Sequence, residues 1–252
     1  MVHKATLQCL ITGASGGIGQ ALVRTFHTAG YAVIATDITI QPAGLLCDHY
    51  IQADLARVVD DEVYASDIFN DIHECLNGIG LNALINNAAI QVLGGSDCLT
   101  RNDWRRTLDV NVIAPFLFTQ AMLNALERTK GCVINISSIH ARLTKKNFVA
   151  YATSKAALSG LTRSMAVDLG ERNIRINAIE PAAIETDMLK AGFTGKPELY
   201  HRLEKCHPLQ RIGQPEEVAR LALAIVGGGI DFLNGACVRI DGGISAQLFD
   251  PD

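Results

Sequence analysis

Tyr151 and Lys155 stand four residues apart in Tyr-Ala-Thr-Ser-Lys, inside a run whose pattern predicts a helix. An i, i+4 pair shares one helix face, which sets an ammonium beside a phenol. A neighbouring cation favours the phenolate and draws a pKa of about 10 toward neutrality, where tyrosine serves as a general acid or base. Ser138 closes the apolar run Val133-Ile134-Asn135-Ile136. That position suits a hydroxyl at the C-terminal end of a buried strand, where open α/β sheets bind their ligands. Exposed helical faces also produce Tyr-x-x-x-Lys pairs by chance, and Ser137 and Ser138 equally suit hydroxyls that tie down a loop. Only the rest of the chain separates these readings.

Near the N-terminus a short buried strand, 7–12, runs directly into Gly13-Ala-Ser15-Gly-Gly17-Ile18-Gly19. A helical pattern through Ala21, Leu22, Phe26 and Ala29 follows. Strand, glycine loop and helix together set a pyrophosphate on a helix N-terminus, where free N–H groups and the dipole favour anions. No Lys-Ser/Thr follows Gly19, which excludes a Walker-type loop. An ordinary glycine-rich turn is the competing reading. The second strand, 32–36, ends at Asp37. A carboxylate there accepts ribose hydroxyls of NAD and repels a 2′-phosphate, whereas a solvated turn residue would have no such placement. Ile38 and Gly16 offer no cation for NADP, so the predicted cofactor is NAD.

The elements that must position these groups alternate along the chain. Strand-like runs at 7–12, 32–36, 50–53, 83–86, 133–137, 174–179 and 237–240 are separated by helical patterns. Such alternation predicts an α/β fold: a doubly wound, mostly parallel sheet of about seven strands with helices on both faces. One domain over residues 1–252 is expected, without repeats or linkers. The 38–49 stretch is short for a βαβ crossover, so its helix is predicted to be truncated or absent. Two long helices are expected at 103–128 and 151–170, and another starting near Val58.

A net charge of −4 and a pI near 6.0 provide no basic patch for nucleic acid or anionic lipid. No apolar run is long enough to span a membrane, and Met1-Val-His-Lys leads straight into the first strand. A cytoplasmic protein is therefore expected. Seven scattered cysteines without a Cys-x-x-Cys suggest reduced, mostly buried thiols. His201, Cys206 and His207 lack a fourth partner at a ligand-like spacing, so no metal is predicted.

With these pieces assembled, the chain resembles the short-chain dehydrogenase/reductase family over nearly its whole length. The matches occur in the family's order: Thr12 to Gly19, Asp54-Leu55, Asn86-Asn87-Ala88-Ala89, Asn111, Ser138, Tyr151-x-x-x-Lys155, Asn177 to Thr186, and Asp241-Gly-Gly. The interval from Ser138 to Tyr151 is the one the family usually shows. The resemblance implies a Rossmann-like fold and a role for each matched residue. Tyr151 would be the acid/base, Lys155 would lower its pKa and bind the nicotinamide ribose, and Ser138 would hold the reacting oxygen. Asn111 would hold a water linking Lys155 to solvent, although it also fits a helix-interior polar residue facing a neighbouring strand. Asp54 would contact the adenine, or else cap the following helix. The implied cofactor set is Gly13, Ser15, Gly17, Ile18, Gly19, Asp37, Asp54, Leu55, Asn87, Ala88, Tyr151, Lys155, Pro181, Ile184 and Thr186. Ala89 and Ala182 stand where the family often has glycine, adding methyl groups beside the expected cofactor path. The resemblance also implies a homotetramer, with a dimer next.

Substrate choice is expected to rest on Gln91, Ser138, His140, Phe148 and Met188. Gln91 and His140 stand at positions similar to carboxylate-reading ones in short-chain 3-hydroxybutyrate dehydrogenases, but Phe148 replaces the lysine those enzymes carry. Arg142, Lys145 and Lys146 fit either a substitute for it or a solvated loop face. Residues 182–210 read as a short-helix lid between glycine hinges, or as a surface insertion without a role in specificity. The acidic tail, 245–252, either reaches a neighbouring subunit or is disordered. The expected reaction is NAD-dependent interconversion of a secondary alcohol and a ketone, with a small hydroxy acid or a sugar or polyol as substrate. The alternative is a catalytically silent NAD-binding regulator on the same fold.

Overall fold

The computed structural model describes residues 7–248. The expectations for Met1-Val-His-Lys and for the end of the acidic tail lie outside that range. Seven parallel strands form one sheet in the order β3-β2-β1-β4-β5-β6-β7. They are β1 Leu7–Thr12, β2 Tyr31–Asp37, β3 His49–Gln52, β4 Ala83–Asn86, β5 Cys132–Ile136, β6 Arg175–Pro181 and β7 Cys237–Ile240. The helices are α1 Gly17–Thr28, α2 Leu55–Asp60, α3 Glu62–Leu76, α4 Arg101–Leu108, α5 Ala114–Ala121, α6 Leu123–Thr129, α7 Val149–Asp168, α8 Asp187–Gly192, α9 Pro197–Lys205 and α10 Pro215–Val226.

Strand side chains alternate between two faces, and both faces are covered. Leu10, Ile34, Leu84, Val133 and Ile176 lie in a core shared with α3, α5 and α7. Cys9, Ile11, Val33, Ile85, Ile134 and Ile179 lie in a second core shared with α1 and α10. Order reverses between β1 and β4, where consecutive strands diverge to opposite halves of the sheet. The carboxyl ends there open a crevice, the usual ligand position in such sheets. Among the described residues, no helix is long and apolar enough to cross a membrane.

Several local expectations need correction. The helix predicted at 103–128 starts earlier, at Arg101, and is interrupted by a π turn, Asp109–Ile113. Pro115 has no N–H to return to the carbonyl of Asn111, and the backbone widens where that bond is missing. The helix expected near Val58 begins at Leu55, because Asp54 caps it by accepting the Ala56 N–H at 2.9 Å. Between β2 and β3 no helix forms; Asp48 accepts the Val33 N–H at 2.8 Å and turns the chain back alongside β2. The thiols are free, but only Cys9 and Cys132 are buried, and Cys98 and Cys206 are exposed.

Candidate active site

The residues predicted to do chemistry meet at the carboxyl ends of β4, β5 and β6. Ser138 follows β5 in extended backbone, and its Oγ accepts the His140 N–H at 3.1 Å. Tyr151 sits in the first turn of α7, with its phenol beside the Ser138 hydroxyl. Lys155, one turn on, is buried and donates from Nζ to the Ile136 carbonyl at 2.8 Å. Its Nζ lies 5.7 Å from the centre of the Tyr151 ring.

Burial, not ion pairing, sets the protonation of this pair. Loss of water pushes the Tyr151 phenol up to about 12, with Ser138 pulling weakly the other way. The same cause pushes Lys155 down to about 7. A phenol drawn toward neutrality by its lysine, as the spacing suggests, is not what the protein's own groups produce. The ammonium is directed at a carbonyl, and both side chains are removed from solvent.

The catalytic helix is held from several sides. Asn111 Nδ2 donates to Ser154 Oγ and to the Ile90 carbonyl, both at 2.9 Å, and Asn111 Oδ1 accepts the Ile90 N–H at 2.8 Å. Asn111 thus joins the π turn to the loop after β4 and to α7, and is not directed at a strand. Ser137 Oγ donates to the Lys155 carbonyl at 3.0 Å and lies 2.9 Å from Ser159 Oγ.

Ser159 in turn donates to Oε1 of Glu180 at 2.9 Å, and Arg142 Nε donates to Oε2 at 3.1 Å. Glu180 is completely buried, whereas the Arg142 side chain is 56% exposed. Sequence reasoning missed this carboxylate. A charge directly after a buried strand pattern was the available signal, since a buried charge needs a partner. Arg142 is therefore paired with Glu180 and is not a free substrate cation, although over half of its side chain stays in solvent as a loop face would.

His140 stacks on Phe148 at 4.6 Å, and both rings present edges to Tyr151, at 5.9 and 6.0 Å. Lys145 Nζ caps the stack, 4.6 Å from the Phe148 ring centre. Burial and the Lys145 charge push His140 down to about 4, so the imidazole is neutral near pH 7. Gln91 is exposed, and Met188 is 65% exposed, so neither joins this aromatic wall. A separate cavity of about 380 Å³ lies between α8 and α9, lined by Lys190, Phe193, Tyr200, His201 and Glu204.

Beside this centre the glycine loop forms a backbone cradle. Gly13 has φ +65°, and a Cβ there would stand 2.7 Å from Ala88 Cα. Asn87 Nδ2 donates to the carbonyls of Thr12 and Gly13 at 3.0 and 2.9 Å, and Thr12 Oγ1 accepts the N–H groups of Asn87 and Ala88. A Cβ on Gly19 would collide with the Gly13 carbonyl, and one on Gly17 would stand 2.9 Å from Thr186 Cγ2. No side chain caps α1 at Gly16, so its first turn, including Ile18, presents backbone donors. At the far end, Asp37 accepts the Ser15 N–H at 2.9 Å. Asp54 and the buried Leu55 follow β3, next to Asp37 across the β2–β3 pairing. Pro181 ends β6, Ile184 is buried against Gly213, and Thr186 caps α8 by accepting the Leu189 N–H. An uncapped helix N-terminus behind a glycine turn, with an acidic residue at the next strand end, fits a dinucleotide.

The chain resembles known proteins in sequence and in fold. Residues 13–245 match the family model described as enoyl-(acyl carrier protein) reductase. The 7α-hydroxysteroid dehydrogenase of Escherichia coli K12 is 35% identical over 256 residues, covering 95% of this chain and 94% of that protein. The ligand-free aldohexose dehydrogenase AldT of Thermoplasma acidophilum superposes with a TM-score of 0.88 at 31% identity, covering 98% of this chain and 97% of that one. A 4-hydroxyisoleucine dehydrogenase complexed with NADH gives 0.84 at 27% identity, covering 96% and 100%. The chain belongs to the short-chain dehydrogenase/reductase family of nicotinamide-dependent oxidoreductases.

Proposed function

We propose that this chain is a NAD-dependent dehydrogenase that interconverts a small secondary alcohol and its ketone. The observation that carries this reading is the convergence of Ser138, Tyr151 and Lys155 beside the glycine cradle. Bound nicotinamide supplies the hydride acceptor or donor. Gly13, Gly17, Ile18 and Gly19 would hold its pyrophosphate, with Ser15, Asp37, Asp54 and Leu55 at the adenosine end. Asn87, Ala88, Pro181, Ile184 and Thr186 would line the nicotinamide end. Ser138 orients the substrate oxygen, and Tyr151 moves the hydroxyl proton at that oxygen. Lys155 supplies positive charge close to the phenol, and Asn111 fixes the backbone around it.

The wall of His140 and Phe148 suits the face of a small hydroxylated substrate. Neutral imidazole both donates and accepts hydrogen bonds, while Lys145 at the edge offers a charge to a carboxylate. Hydroxy acids and sugars or polyols are the two classes to assay, with NAD⁺ and with NADP⁺. Selective NADH production in one class is expected, at least about tenfold faster than NADPH production. Silence across both classes by a protein that still binds NADH would favour the regulatory alternative.

The proposal includes a homotetramer. Val167 on α7 is 84% exposed and Phe232, before β7, is fully exposed, so α7 and the segment before β7 each carry an uncovered apolar side chain. Light scattering after gel filtration should report four times the 27.1 kDa chain mass; a monomer at micromolar concentration would refute it.

A further inference from the structure

At the adenosine end of the cleft, Tyr50 makes contacts that the role of Asp37 does not require. It stands on β3, which follows β2 without an intervening helix, so its phenol reaches the glycine loop and the chain beyond β2. Tyr50 Oη donates to the Thr39 carbonyl at 2.8 Å. Its single hydrogen is thereby used, so Ser15 Oγ, 3.0 Å away, is the donor in the Ser15–Tyr50 bond. The other donors around it are also engaged. The Ser15 N–H goes to Asp37 Oδ2 at 2.9 Å, and the Thr39 N–H and hydroxyl go to Asp37 Oδ1 at 3.1 and 3.2 Å.

We infer that Tyr50 is a cofactor-selecting residue that acts with Asp37 against a 2′-phosphate. The inference rests on the reading of Asp37 as the ribose-binding carboxylate. A phosphate monoester presents only acceptor oxygens and negative charge, and it needs N–H or O–H groups. Here Ser15, Thr39 and Tyr50 turn their hydrogens onto one another and onto Asp37, and what remains toward a ligand is lone pairs. A ribose hydroxyl can donate to such a surface; a phosphate cannot. Tyr50 closes the circuit, because without its oxygen the Ser15 hydroxyl hydrogen is released.

Calorimetric titration of the purified protein with NADH and with NADPH tests this directly. Tyr50→Phe keeps the ring and removes only the oxygen, and it should lower the Kd ratio of NADPH to NADH roughly tenfold, or about 1.4 kcal/mol. Adding Ser15→Ala to that variant should cancel the gain, since the released donor is then absent. A wild-type protein that prefers NADH, with an unchanged ratio in Tyr50→Phe, overturns the role of Tyr50 alone. A gain that survives in the double variant also overturns it. Equal affinity of the wild type for both dinucleotides overturns the reading of Asp37 itself.

Discussion

Tyr151→Phe should lower kcat by roughly 10²–10⁴-fold, the usual contribution of a positioned acid/base, while the protein still binds NADH. The variant keeps the ring that packs edge-on against His140 and Phe148, so the wall of the pocket survives. Only the phenol oxygen beside Ser138 is lost. The phenol in this protein is held up at about 12 by burial, so few molecules carry phenolate near pH 7. Oxidation by the wild type should therefore accelerate as pH rises, and the variant's residual rate should not follow that profile. Steady-state kinetics between pH 6 and 10, with calorimetry of NADH binding, would check both parts. An unchanged kcat would remove Tyr151 from its assigned role.

Lys155→Met should abolish most turnover and yet make the folded chain more stable. The lysine has a pKa of about 7 in the folded protein against 10.5 as its ordinary value, and burial is the cause. Below pH 7 both folded and unfolded chains carry the charge, and the folded state bears the full cost of burying it. As pH rises from 7 to 10.5, the unfolded chain binds more protons than the folded one, so stability increases across that window. Methionine has a similar length and no charge, and it removes this cost. What it loses is the hydrogen bond to the Ile136 carbonyl, worth about 1 kcal/mol. The expected gain in Tm at pH 6 is on the order of 5–10 °C, shrinking toward pH 10. Thermal unfolding of both proteins at the two pH values measures it. A variant that melts lower at pH 6 would show that Lys155 is not a buried-charge liability.

Such a stability cost is consistent with a residue retained for chemistry. Glu180 illustrates the contrasting case: its charge is equally buried but is matched by Arg142 and Ser159. Residue order signals the buried charge of Glu180 but not which groups meet it. Glu180 directly follows the 174–179 run that reads as buried strand, and Arg142 reads as one of several loop cations. Their pairing joins residues 38 positions apart.

The amino-acid sequence by itself determined the parts of this protein whose physics is local. A glycine loop between a strand and a helix, a Tyr-Lys pair at helical spacing, an acid at a strand end and alternating apolar periods each depend on neighbours within a few residues. From these came the parallel sheet, the glycine cradle and the positions of Ser138, Tyr151 and Lys155. Tertiary structure alone decided how charges and donors are shared. Lys155 is directed at a carbonyl and not at its phenol, and Asn111 ties the π turn to Ser154 on α7 and to Ile90 after β4. Tyr50 reaches Ser15 because the β2–β3 connection lacks a helix. Desolvation and hydrogen-bond partnering sum over every group that surrounds a side chain, and most of those groups are distant in the chain.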